Sequence, residues 1–161
     1  MEESTLGLIA GGGRLPVLVA QGMKAAGRRL CVVGLHGHYD PVLADLGDDF
    51  AVAGVYRLGR WIRVLRKHGV QQAVLAGRVS KARMHDPLRL YRHMPDWRAM
   101  KLWYRSLGED RRSAALLVAV AEVLRDNGIT LIDSTTYITD HLAGEGLMTS
   151  VDVSQIGRAH V

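Results

Sequence analysis

The chain has one cysteine in 161 residues and no apolar run near the roughly 20 residues that a membrane-crossing helix needs. The single cysteine excludes an internal disulfide, so a stapled extracellular scaffold is not expected. The N-terminus also lacks the basic start and long apolar stretch of a secretory signal, and a cytoplasmic location is the expectation. Several enzyme motifs are missing: there is no P-loop, no G-x-S-x-G elbow, no H-E-x-x-H and no cysteine pair. No helix-turn-helix, zinc knuckle or RNA-binding aromatic signature is found, and nucleic acid is not expected as a partner. The sequence has no internal repeat and no low-complexity segment.

What is present suits one globular domain. The chain is 48% hydrophobic and 23% charged, and its length allows a sizeable core. Its formal charge of +5 comes mostly from arginine, 17 against 4 lysines. The planar fork of arginine matches phosphate oxygens, which points to anionic partners. A GC-rich genome that replaces lysine throughout a solvated surface is the competing explanation. Cys31 stands in an apolar run, with no neighbour in sequence to stabilise a thiolate, and is expected in the core.

Apolar runs and turn residues alternate in a strand-helix order. Strands are expected over residues 6–10, 30–35, 50–55, 73–76 and 129–132, and helices over 15–26, 58–68, 88–107 and 110–127. The predicted fold is α/β, a Rossmann-like parallel sheet of about five strands with helices on both faces. In such sheets ligands bind at the carboxyl ends of the strands.

The most informative stretch is Gly11-Gly12-Gly13-Arg14, between the first strand and the first helix. Glycines there let backbone N–H groups approach a ligand, the helix N-terminus favours an anion, and Arg14 adds a full charge. The dinucleotide fingerprint G-x-G-x-x-G fails because Pro16 stands where its third glycine belongs. No Asp or Glu ends the second strand to hold a ribose, so an ordinary nicotinamide site is disfavoured. A tight turn without a ligand is the alternative. Two further loops should converge on this one, His36-Gly37-His38 and Gly77-Arg78-Val79. His36, His38 and Asp40 have a spacing that could hold a metal, although solvated loop histidines are the default. Gly108-Glu109-Asp110 could cap a helix or bind a cation, and capping is favoured. The segment 83–105 mixes Leu88, Tyr91, Trp97 and Trp103 with arginines, a pattern that suits an anionic lipid surface, a missing domain or an ordinary amphipathic helix.

Together, Leu6 to Pro16, Leu75-Ala76-Gly77-Arg78-Val79, Gly108-Glu109-Asp110 and Leu142-Ala143-Gly144-Glu145-Gly146-Leu147-Met148-Thr149 carry a family resemblance. The chain resembles the N-terminal domain of the LpxI family of UDP-2,3-diacylglucosamine pyrophosphatases, with Glu109 where the family usually has aspartate. The resemblance implies a two-domain, magnesium-dependent enzyme of Gram-negative lipid A and lipopolysaccharide synthesis, with its site between the domains. Its reaction would convert UDP-2,3-diacylglucosamine and water to UMP and 2,3-diacylglucosamine 1-phosphate. The catalytic aspartate belongs to the C-terminal domain, so no residue of this chain inherits that role.

Expected substrate contacts are Gly11, Gly12, Gly13, Arg14, Gly77 and Arg78; magnesium ligands are not identified in the chain. Candidate partners are the substrate, the missing C-terminal catalytic domain, a second copy in a homodimer, and the inner membrane through peripheral contact. Residues 1–150 are expected to form the domain and 151–155 to begin an interdomain linker. Residues 156–161 are similar to one translated frame of a widely used sequencing adapter and are expected to be a non-native tail. The piece alone should be inactive. A free-standing nucleotide or sugar-nucleotide binding module is the alternative reading.

Overall fold

The computed structural model describes residues 5–79 and 113–139. Five strands form one sheet: β1 Leu6–Ala10, β2 Leu30–Leu35, β3 Asp49–Ala53, β4 Gln72–Ala76 and β5 Thr130–Leu131. All four pairings are parallel, in the order β3-β2-β1-β4-β5. Every residue of β1 and β2 is buried. Strands covered on both faces need apolar side chains on both, which is why these two read as continuous runs and not as alternation. The chain winds outward from β1 to β3, then returns to the other side of β1 for β4. The β1–β4 boundary is therefore the topological switch point.

Helices cover both faces, as expected. Helices α1 Leu15–Ala25 and α2 Leu43–Leu46 enclose a core with Leu8, Val19, Met23, Val32, Leu43 and Val74. On the other face, α3 Leu58–Lys67 and α4 Ser113–Asp126 enclose Ile9, Val33, Trp61, Leu65 and Leu124. Within α3, Leu58, Trp61, Ile62 and Leu65 are buried at helical spacing, a stripe turned toward the sheet. Burial is the first reason, and nearby Asp49 the second, that the Cys31 thiol is pushed up to about 11, so it packs as an apolar group.

Some boundaries differ from the sequence expectation. The third strand spans Asp49–Ala53, one residue earlier at its start and two at its end than 50–55, because Cys31 pairs with Asp49 and Leu35 with Ala53. Gly54 then leaves the ladder, its carbonyl accepting hydrogen bonds from Arg57 N (3.0 Å) and Trp61 Nε1 (2.9 Å). β4 starts one residue earlier than expected, and β5 keeps only the middle of its expected span. Two short elements were not predicted. α2 follows a turn in which Asp40 Oδ1 accepts the Val42 N–H (3.0 Å), and a 3-10 turn at Ser134–Tyr137 is capped by Asp133, which accepts Thr135 N–H (2.8 Å). At four residues each, neither is long enough to give a periodic signal. The helix expected over 110–127 is described from Ser113, while the one over 88–107, the linker and the tail lie outside the described residues.

The amino edge of the sheet is held by polar contacts. Asp48 accepts a hydrogen bond from Lys24 Nζ (2.7 Å) and another from Leu30 N–H (2.7 Å), and these bonds hold its carboxyl below its ordinary pKa. Arg29 Nη2 (3.2 Å) and His68 Nδ1 (3.0 Å) both meet Asp49 Oδ2. A lowered folded-state value means that the Asp48 contribution is complete above about pH 4 and is lost as pH falls through the depressed value. Asp48→Asn should cost about 1 kcal/mol at neutral pH, the scale for a partly exposed pair with one backbone hydrogen bond. The gap between variant and parent should close in acid. Urea unfolding midpoints across pH check this.

Candidate functional site

Parallel strands deliver the loops after β1, β2, β3 and β4 to one edge, the carboxyl edge of the sheet. The loop after β1 and the loop after β4 are joined by main chain. Gly12 N–H donates to Arg78 O and Arg78 N–H to Gly12 O, both at 2.8 Å, forming an isolated antiparallel bridge across the switch point. Gly11 N–H donates to Ala76 O, also at 2.8 Å.

This junction explains its own residue types. A Cβ on Gly77 would lie 2.7 Å from Pro16 Cγ, 2.8 Å from Gly11 C and 2.9 Å from Gly12 O, and Gly77 has φ +95°. Only glycine meets both constraints. The third glycine of a dinucleotide fingerprint serves close packing of helix on strand. Here the buried ring of Pro16 fills that place, and Gly77 on the opposing loop makes room for it by having no side chain. The loop after β2 joins the same cluster, since a Cβ on Gly12 would lie 3.0 Å from His38 O and 3.4 Å from Arg78 O.

The six predicted contact residues therefore meet at one place but divide into two kinds. Gly11, Gly12 and Gly77 make the junction, and the N–H groups of Gly11 and Gly12 are already engaged in it. Gly77 is exposed as well as Gly13, Arg14 and Arg78, but only Arg14 and Arg78 present charged side chains, Arg78 joining the junction through its main chain. Gly13 has φ +99°, and a Cβ placed there would have Arg78 Nε as its nearest neighbour at 4.0 Å, so the Arg78 side chain lies beside the exposed turn. Among the described residues, no backbone hydrogen bond uses the N–H of Gly13 or Arg14.

Two helix starts at this edge carry the wrong sign for a bare protein surface, whereas α2 has Asp45 in its first turn. The residue preceding α1 is Arg14 and that preceding α3 is Arg57; neither helix has a side-chain cap or an acidic residue in its first turn. A helix N-terminus is the positive end of its dipole and ordinarily attracts Asp, Glu, Ser or Thr. Arg57 Nε is also buried without a hydrogen-bond partner among the described residues. Sequence reasoning missed Arg57; the available signal was a cation where a capping residue belongs. The arrangement can receive an anion, with two N–H donors and the Arg14 and Arg78 side chains exposed around it.

No ready-made cage of metal-ligating side chains stands in the described part of the edge. Among the described residues no three His, Cys, Asp or Glu side chains come together as a metal site. Asp40 and Asp133 each accept a backbone N–H within their own turns. Glu109, Asp110 and 142–149 lie outside the described residues.

Comparison with known proteins places the sequence. The family profile for the LpxI N-terminal domain matches residues 5–141. UDP-2,3-diacylglucosamine pyrophosphatase LpxI of Caulobacter vibrioides is 39% identical over 97 residues, which are 60% of this chain and 32% of that protein. The aligned part thus spans about a third of the relative. Among solved structures, UDP-glucose-4-epimerase from Stenotrophomonas maltophila aligns over 80% of this chain and 35% of its own, at 13% identity and TM-score 0.48. The Bordetella bronchiseptica enzyme WbmG aligns over 77% and 34%, at 14% identity and TM-score 0.46. By the extent of the profile match, this chain belongs to the LpxI family, as its N-terminal domain.

Proposed function

We propose that the carboxyl edge binds the diphosphate of a UDP-linked acyl sugar, and that the chain is the substrate-binding half of an enzyme of lipid A synthesis. The full-length protein would hydrolyse UDP-2,3-diacylglucosamine to UMP and 2,3-diacylglucosamine 1-phosphate. The observation that carries this reading is the pair of N–H groups at Gly13 and Arg14 that no backbone hydrogen bond among the described residues uses, flanked by the exposed Arg14 and Arg78 side chains. Gly11, Gly12 and Gly77 act one step back, by allowing the two loops to lock together and hold the donors in place.

Hydrolysis at phosphorus also needs an activated water and stabilisation of the developing oxyanion. The arginines and N–H groups here would supply binding, orientation and part of that stabilisation. The base belongs to the C-terminal domain in this reading, and no step is assigned to a residue of this chain. A self-contained sugar-nucleotide binding module remains the second reading, supported by the same geometry.

Two measurements test the proposal. Calorimetry should find UDP binding to the chain at least tenfold tighter than uridine, because charge-assisted hydrogen bonds to phosphate exceed about 1.4 kcal/mol in sum. Incubation with UDP-2,3-diacylglucosamine and magnesium should release no UMP above a protein-free control. Equal affinity for uridine would place the diphosphate elsewhere, and UMP release at an enzymatic rate would put the catalytic base in this chain.

A further inference from the structure

Residues 50–79 carry five arginines and one lysine and no aspartate or glutamate. Four of these cations, Arg60, Arg63, Arg66 and Lys67, lie on α3, and all four are exposed. Leu58, Trp61, Ile62 and Leu65 bury the side of the helix that meets the sheet, and helical spacing sets Arg60, Arg63 and Lys67 in one row on the opposite side, with Arg66 flanking it. At about 1.5 Å per residue the row runs roughly 10 Å down the outer surface of α3, away from the carboxyl edge.

Helix stability accounts for only part of this charge. Arg66 and Lys67 occupy the last turn, where cations complement the dipole. Arg60 lies in the first turn and opposes it, and Arg63 stands three residues from Arg60 and four from Lys67, the spacings at which like charges repel. A solvated helix ordinarily relieves such crowding with carboxylates at the same spacings, and α3 has none. Its surroundings supply none either. Among the described residues the ion pairs on the amino edge engage Lys24, Arg29 and His68, so Asp48 and Asp49 are taken. Glu122 and Asp126 are exposed on α4, which covers the same face of the sheet, but neither pairs with α3 among the described residues.

The chemistry of the row selects its partner. Single-stranded nucleic acid needs aromatic stacking platforms, whereas Trp61, the one aromatic residue of α3, is 4% exposed with its indole N–H on Gly54 O. A lipid surface needs exposed apolar side chains beside the cations, and those of α3 pack against the core, Val64 included. A convex row of cations one turn apart matches carboxylates one turn apart on another helix. We propose that the outer face of α3 docks an acidic helix of a partner protein, with Asp or Glu repeating at intervals of three and four residues. This surface is separate from the diphosphate turn and does not depend on UDP binding.

The test is fluorescence anisotropy of a labelled, alanine-based helical peptide bearing Glu at those intervals, titrated with the chain, against the same peptide with Gln in place of Glu. The Glu peptide should bind at low salt and be released at high salt, and the Gln peptide should not bind. The triple variant Arg60→Gln, Arg63→Gln, Lys67→Gln should bind the Glu peptide roughly tenfold more weakly, three exposed pairs being lost. Its circular dichroism should be unaltered and its melting temperature unchanged or higher, because like-charge neighbours are removed. Amide NMR shifts caused by the Glu peptide should centre on residues 60–67. No binding of the Glu peptide, equal binding of the Gln peptide, undiminished binding by the folded triple variant, or shifts centred on Gly13 and Arg14 would each overturn the inference. Tighter binding of an oligothymidylate of equal charge at residues 60–67 would overturn it in favour of nucleic acid.

Discussion

Gly77→Ala should lower stability by about 4 kcal/mol, whereas Gly69→Ala should lower it by about 1 kcal/mol. Both glycines have positive φ, +95° at Gly77 and +69° at Gly69, so both substitutions incur the backbone penalty of the left-handed region. They differ in what surrounds the new methyl. A Cβ on Gly69 has nothing within 4 Å, while one on Gly77 meets Pro16 Cγ, Gly11 C and Gly12 O within 3 Å. Two of those atoms are main chain in a hydrogen-bonded bridge and cannot swing away like a side chain. The methyl must separate the loops after β1 and β4, breaking the paired Gly12 and Arg78 hydrogen bonds. For a domain of this size the loss corresponds to a fall in melting temperature of about 10 °C. Equal losses at the two sites would mean that the junction yields freely, and the link between glycine content and loop closure would fail.

The second large effect concerns charge. Arg14→Ala and Arg78→Ala should each weaken UDP binding about tenfold or more, and the double variant about a hundredfold. Both side chains are exposed, and neither takes part in an ion pair or side-chain hydrogen bond among those resolved between described residues. Removing them should therefore shift thermal stability by less than about 0.5 kcal/mol. Calorimetric titration with UDP, alongside thermal melts, separates the two consequences. Full-strength UDP binding by the double variant would remove the arginines from the site.

The two central strands were legible because β1 and β2 are buried on both faces, which gives short uninterrupted apolar runs bounded by turn residues. β3 was legible only in outline. Its first residue is Asp49, a polar residue that side-chain pattern assigns to a loop, yet its backbone pairs with Cys31 and its carboxylate meets Arg29 and His68. The glycine turn stood out in the sequence, as did the misfit of Pro16 with a dinucleotide fingerprint. The reason for that misfit was not legible, because the atoms that explain it belong to Gly77, far along the chain. Nor could the sequence reveal that Gly11 and Gly12 direct their N–H groups into the β4 loop, since that pairing exists only once β4 lies beside β1. Arg57 was within reach of the sequence, since the helix expected from residue 58 puts it where a capping residue belongs; the burial of its Nε was not, because that exists only in the folded chain.

The most direct test is an amide NMR titration of the nitrogen-15-labelled chain with UDP. The N–H resonances of Gly13 and Arg14 should move most, because these are the open donors at the start of α1, with smaller changes at Gly11 and Gly12, whose N–H groups already bond to Ala76 and Arg78. Uridine at the same concentration should leave all four in place. UDP shifts confined to the amino edge, or no shift at Gly13 and Arg14 under conditions where calorimetry shows saturation, would contradict the placement of the diphosphate at this turn.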